Sequence, residues 1–335
     1  MNDKYLIVKG VSGLGERLGA AAAAIDYARR SGRKIYVDWS DGKFGKPDEP
    51  VFYKYFRLNG VERAASIEEI FSGDPPVCYP ALWGASPHMP ALEMYARIRT
   101  PLDRTILRIF RGKGDYSKLF RYWQPRENYT SGGIGAAVKA VSDKECVIFG
   151  GNLKQNKKED VVFFADVYPR FSNRTLRENV SLTDPMNDEI NRIAASLELA
   201  DKTIGVHVRM TDRRISCQPE YLLERVQRVA QKLKLHCPKI FLATDSEDME
   251  DYFREKHPAT VFTEKWRPEG EYRHTGVHHY AAMTGDYSKS ERVLKDSIID
   301  MWLLSKCEYL IYQRDSNFSI HSSILKNDPK KTFSW

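Results

Sequence analysis

The stretch Ile204-Gly205-Val206-His207-Val208-Arg209-Met210-Thr211-Asp212-Arg213-Arg214 carries the densest chemistry in the chain. Its apolar first half reads as a buried strand, and alternation along a strand sends His207 and Arg209 to one face. Arg209 then stands at the carboxyl end, where open α/β sheets bind their ligands. A guanidinium there can hold a diphosphate through two parallel hydrogen bonds and stays charged throughout. The polar loop beyond it adds Asp212, Arg213 and Arg214. A reaction that expels a nucleoside diphosphate needs such charge, because the leaving group becomes more negative as its bond breaks. Many enzymes of that kind use a divalent metal held by an Asp-x-Asp motif. None occurs in this sequence, and fixed arginines are the natural substitute. The competing reading is a core histidine followed by a solvated basic loop.

Two further strand ends fit the same chemistry. Phe241-Leu242-Ala243-Thr244-Asp245-Ser246 places Thr244 and Asp245 beyond a second strand, where the carboxylate can accept from a base or ribose; Asp245-Ser246 can equally cap the next helix. An apolar run at 309–312 delivers Ser316, Asn317 and Ser319, small polar groups suited to phosphate oxygens and to helix capping alike. Asp300 lies inside the otherwise apolar Ser297-Ile298-Ile299-Asp300-Met301-Trp302-Leu303-Leu304. Burying a carboxylate is costly unless it is paired. Asp300 therefore pairs with an internal arginine, holds a ligand group, or orients His207 or Arg209.

Near the start, Gly10-Val11-Ser12-Gly13-Leu14-Gly15, with Gly19 beyond, joins a strand at 5–8 to an alanine-rich helix at 16–30. A second strand at 34–37 ends in Asp38, completing a βαβ unit. Three readings stay open. The glycines cradle a dinucleotide whose ribose Asp38 would hold, or they only let helix and sheet pack closely, or the loop with Gly13, Gly15 and Arg17 faces a second substrate across a cleft.

The positioning elements are clearest in the second half. Strands are expected at 203–208, 239–243, 259–263 and 309–312, with helices at 186–199, 220–235, 248–256 and 292–307. Such alternation predicts a parallel, Rossmann-like sheet. Segments 41–50 and 74–90 read as irregular loops, 146–149 as a buried strand, and 171–183 as a polar crossing. The expected fold is α/β, with two Rossmann-like domains facing a cleft, over 1–170 and 171–335.

Composition narrows the function. With 42% hydrophobic and 29% charged residues the chain is an ordinary folded protein, and its net charge of +7 favours anionic partners. The charge is spread along the sequence, so no nucleic-acid arm is expected. Five widely spaced cysteines form neither a zinc pattern nor a disulfide framework. No apolar run is long enough for a transmembrane segment, and no secretory leader opens the sequence, so a cytoplasmic protein is expected.

The ordered set Gly205-Val206-His207-Val208-Arg209-x-Thr211-Asp212, Ala243-Thr244-Asp245 and Ile299-Asp300-Met301-x-Leu303-Leu304-Ser305, with its serine-bearing segment after the next strand, resembles the α-1,6-fucosyltransferases, above all the rhizobial nodulation-factor enzymes. The glycine turn, the alanine-rich helix and Val37-Asp38-Trp39 extend the likeness to the amino-terminal half, while about 40–165 matches poorly. The resemblance implies a glycosyltransferase-B-like architecture and an inverting, metal-independent fucosyltransferase with GDP-fucose as donor substrate, no cofactor, and a glycan or glycoconjugate as acceptor. It implies that Arg209 holds the diphosphate with His207 beside it, that Asp245 and Asp300 contact or organise the nucleotide, and that Ser316 or Ser319 meets its phosphates. The first domain would form the acceptor side.

Two departures stand out. Where the animal enzymes carry a second arginine this chain has Met210, for which Arg213 or Arg214 would compensate. Where they carry a glutamate base it has Cys217. Candidate bases are Asp212 and Glu220, then Asp38 and Glu16. The rival readings are a glycosyltransferase using another nucleotide sugar, an NAD(P)-dependent oxidoreductase using the 10–19 loop, and a binding protein that has lost catalysis.

Overall fold

The apolar run at 5–8 forms β1 (Tyr5–Lys9), the alanine-rich segment forms α1 (Leu14–Ser31), and β2 (Lys34–Asp38) returns parallel to β1. This computed structural model describes residues 3–79, 81–91, 93, 157–166, 169–199, 202–210, 217–273 and 277–335. The strand expected at 146–149 and the residues Asp212, Arg213 and Arg214 lie outside them. The chain divides into two units: the first holds 1–12, 16–41 and 48–181, the second 13–15, 42–47 and 182–335.

The first unit is built on a four-stranded sheet of order β2-β1-β5-β4, with β4 (Cys78–Tyr79) and β5 (Val161–Phe164) parallel to their neighbours. Ala20 to Ala24 are all buried, and such small side chains let α1 lie close against the sheet. Below the strands, the buried Arg33 guanidinium gathers the carbonyls of Tyr5, Lys157, Glu159 and Asp160. Three short helices follow β2: α2 (Phe52–Tyr55), α3 (Ile67–Ile70) and α4 (Ala81–Gly84). Around the first of them Trp39, Phe52 and Phe56 pack edge and face, 4.9–5.7 Å apart.

The polar 171–183 stretch is more ordered than its composition suggests. It forms α5 (Asn173–Asn179) and β6 (Val180–Leu182), the latter paired with β3 (Phe56–Leu58). Ser172 caps α5 by accepting from the Thr175 amide, and the Thr175 hydroxyl donates to Asp26 at 2.8 Å. Local capping stabilises this helix where an apolar stripe does not.

The second unit carries a parallel five-stranded sheet of order β11-β10-β7-β8-β9: β7 (Ile204–Val208), β8 (Ile240–Thr244), β9 (Thr260–Val261), β10 (Tyr309–Tyr312) and β11 (Thr332–Ser334). Its helices are α6 (Asp184–Ser196), α7 (Pro219–Lys232), α8 (Glu247–Lys256), α9 (Tyr280–Thr284), α10 (Ser290–Lys306) and α11 (Asn317–Lys326). Val206, Val208, Leu222, Val226, Leu242 and Phe253 are central to one apolar cluster of this unit. Rossmann-like parallel sheets are thus present in both units. The central β7 pairs with β8 as far as Val208 and Thr244, but with β10 only as far as Val206 and Ile311. Beyond those residues β10 parts from β7.

Candidate functional site

Where β10 leaves β7, side chains replace the missing ladder. The His207 carbonyl accepts from the Trp335 indole N–H at 3.2 Å, and the Arg209 amide donates to Gln313 Oε1 at 2.8 Å. On the β8 side, the Met210 amide donates to Asp245 Oδ1 at 2.7 Å. The main chain around Arg209 is therefore held by residues that follow three other strands of the sheet, β8, β10 and β11. Held this way, the half-buried Arg209 stands on a fixed main chain at the carboxyl edge of the sheet.

His207 is buried and its ring stacks on Phe318, with centroids 4.8 Å apart. Its Nδ1 meets the Ser319 hydroxyl, whose oxygen also accepts from the Gln313 amide at 3.1 Å. Ser319 thus anchors His207 from within α11.

Ser316 occupies the N-cap of α11 without making a capping bond. Its hydroxyl and the Gln313 side-chain NH2 are buried without a hydrogen-bond partner among the described residues. The first amides of a helix lack internal acceptors and attract anions, so this end of α11 gathers unmatched donors beside Arg209. Gln313 went unnoticed in the sequence, where a lone glutamine after a strand gives no signal.

Thr244 and Asp245 end β8 as expected. Ser246 caps α8 through the Met249 amide, leaving Asp245 to hold Met210. Of the alternatives left open for Asp300, the structure shows an internal ion pair, with a lysine rather than an arginine: its oxygens take the Thr263 hydroxyl at 2.6 Å and the Lys265 ammonium at 2.7 Å. Lys265 and Arg267 also donate to the Thr244 carbonyl, and Arg267 pairs with the buried Glu250. Desolvation raises the pKa of Glu250 despite the two cations beside it, and burial raises that of Asp296 on the same side of α10. Lysine fills the role because a flexible ammonium can reach two carboxylates and a carbonyl at once.

Glu220 is exposed on the first turn of α7, just past the buried Cys217, whose thiol desolvation pushes up to about 11. Among the described residues no group of three or more His, Cys, Asp or Glu side chains is placed to hold a metal ion.

At the glycine turn, other parts of the protein approach the main chain closely. A Cβ at Gly10 would overlap the Arg17 guanidinium, and one at Gly19 would come within 2.9 Å of Pro169. A Cβ at Gly15 would lie 3.1 Å from the Asn317 carbonyl and from His321 Nδ1. The left-handed residue of the turn is Ser12, with φ 64°. Arg17 is buried and pairs with Asp41 at 2.5 Å. Asp38 is also buried and binds the Lys9 ammonium at 2.5 Å and the Ser40 amide at 3.1 Å. Protein groups thus fill the space over Gly10 and occupy the acid that a dinucleotide would need, which disfavours the oxidoreductase reading.

No family model matches the chain. It is 24% identical to Nodulation protein Z of Azorhizobium caulinodans over 96% of this chain and 89% of that protein. Among solved structures it is similar to the fucosyltransferase NodZ from Bradyrhizobium, with a TM-score of 0.59 and 20% identity over 97% of this chain and 94% of the other. The NodZ α-1,6-fucosyltransferase soaked with GDP-fucose gives a TM-score of 0.58 and 21% identity over 97% and 93%. The likeness to nodulation fucosyltransferases read from the motifs is present along nearly the whole chain, and the fold is theirs. Among the described residues no helix is long and apolar enough to cross a membrane.

Proposed function

We propose that this protein is a fucosyltransferase that moves L-fucose from GDP-fucose to a hydroxyl of a glycan or glycoconjugate, with inversion and without a metal. The observation that carries the reading is the braced Arg209 beside the unmatched donors at the start of α11. A diphosphate is the ligand that such a cation and such N–H groups fit. Similarity to a fucosyltransferase of the same fold solved after soaking with GDP-fucose supports the choice of donor.

In this reaction the acceptor oxygen bonds to the anomeric carbon as the bond from that carbon to GDP breaks. The electron pair leaves with the diphosphate, whose added charge Arg209 and the α11 amides stabilise. The acceptor proton passes to a carboxylate, for which Asp212 and the exposed Glu220 are the candidates. Asp38, held by Lys9, is unsuited to that role. Metal independence rests on the arginine chemistry and the lack of an Asp-x-Asp motif. The first unit would supply the acceptor side, and the cytoplasm would be the site of action.

Calorimetric titration in EDTA with GDP, UDP, ADP and NADP, followed by transfer from GDP-fucose to oligosaccharides, tests the reading. Binding of GDP alone and fucose transfer in EDTA are expected. A preference for UDP or ADP would reassign the sugar, and binding of NADP alone would sink the proposal.

A further inference from the structure

The notch between β7 and β10 is closed by one side chain, Gln313, whose two ends are in different situations. Its Oε1 accepts the Arg209 amide, which fixes the amide orientation, because only an oxygen can accept from that N–H. The planar NH2 group must then lie beside the Arg209 main chain. Gln313 is 1% exposed, and among the described residues its Nε2 has no partner. A buried donor left unmatched is costly, and buried polar groups are ordinarily matched. Three residues on, the Ser316 hydroxyl is unmatched as well, and the Ser316 amide donates to the Gln313 carbonyl at 3.2 Å, tying the two residues into one turn. Two unsatisfied side chains on one turn, at the start of a ten-residue helix and next to a half-buried arginine, lack the same thing: an oxygen-rich anion.

We propose that Gln313 has two roles in the donor site, fixing the Arg209 main chain through its oxygen and donating its NH2 to the diphosphate of the bound nucleotide. The inference rests on the donor reading above and extends it to a residue that the motifs do not mark. With the NH2 matched only when the diphosphate is present, the cost of leaving it empty is relieved on binding, and the affinity for phosphate-bearing ligands rises relative to the bare nucleoside.

Gln313→Glu separates the two roles. The carboxylate keeps an acceptor for the Arg209 amide but replaces both N–H donors with an oxygen that repels phosphate. GDP and guanosine are titrated calorimetrically into the parent and the variant, with thermal melts to check folding. The expected result is a loss of tenfold or more in GDP affinity with guanosine affinity unchanged. Unchanged GDP affinity would overturn the proposal, as would an equal fall for both ligands, which marks a purely structural role or a site for buried water. If the variant does not fold, parent protein labelled with 15N in its glutamine side chains gives a second reading. One side-chain amide pair, assigned through Gln313→Asn, should shift with GDP and not with guanosine; a pair indifferent to GDP overturns the role. A parent that binds no GDP at all refutes the donor reading itself, and the Gln313 role with it.

Discussion

Asp245, at the end of β8, accepts the amide of Met210 at 2.7 Å, so a carboxylate from one strand sets the main chain next to Arg209 on another. This gives Asp245 a job that needs an acceptor oxygen and no charge. Asp245→Asn, which can still accept through its amide oxygen, should keep GDP affinity within about threefold of the parent, a loss below 1 kcal/mol. Asp245→Ala, which leaves that amide unmatched, should lose at least about tenfold, or 1.4 kcal/mol. Calorimetry on the pair decides the matter. A deep loss in the Asn variant would show that the charge itself meets the nucleotide.

Arg209 is the residue on which the donor assignment stands or falls. Its truncation removes the charge that stabilises the departing diphosphate, and Lys restores a charge but not the fork. Turnover should fall by about 100-fold or more in Arg209→Ala, in line with the loss of a preorganised donor, and Arg209→Lys should recover only part of it. Steady-state fucose transfer, with the product GDP as a binding probe, measures both. Normal donor affinity and turnover in Arg209→Ala would refute the assignment.

In the first unit, Lys9 and Asp38 are a buried pair, 2% and 3% exposed, with Lys9 also donating to the Pro87 carbonyl. Asp38→Asn leaves the ammonium buried without its counter-charge and should cost about 3–5 kcal/mol of stability. Desolvation already lowers the Lys9 pKa, and Asp38 is the chief influence raising it. A depressed folded-state value means that the folded protein resists the proton, so stability is lost as pH falls and regained as Lys9 becomes neutral. Asp38→Asn should therefore melt higher at pH 9 than at pH 7, relative to the parent at the same pH values. A flat difference would show that Lys9 is already neutral or matched elsewhere.

The long elements could be read because their burial is written in period. β7, β8 and β10 are short apolar runs lying within a residue of their expected bounds, and α10 shows its apolar face in sequence. β11 escaped notice because an edge strand of three residues needs no apolar run, and α5 because its stability comes from a cap. At the site, Arg209 and Asp245 were legible as charged residues after apolar strands. Gln313 and Trp335 were not, because their roles arise only where β10 parts from β7, and pairing is a long-range property. The glycine turn left three readings open for a related reason. Its spacing fits a dinucleotide loop, yet what approaches Gly10 so closely is the protein's own Arg17.

Asp300 gives the strongest test of structural against ligand roles. Lys265 is its partner at 2.7 Å, both are less than a tenth exposed, and Glu250 stands 3.7 Å from the same ammonium. If the cluster fastens the Thr244 carbonyl and the β8 end, Lys265→Met should remove about 3–5 kcal/mol of stability by leaving the carboxylates without their shared cation. The pH dependence follows from Glu250, whose pKa burial raises. A carboxylate with a raised folded-state value favours the folded protein while protonated, and that contribution is lost as pH rises through the raised value. Loss of Lys265 removes an influence that lowers the Glu250 value, so the variant should weaken from pH 5 to pH 8 more steeply than the parent. Thermal melts across that range, with GDP titrated at each pH, separate the possibilities. Stability equal to the parent with only GDP affinity reduced would assign Asp300 and Lys265 to the nucleotide instead.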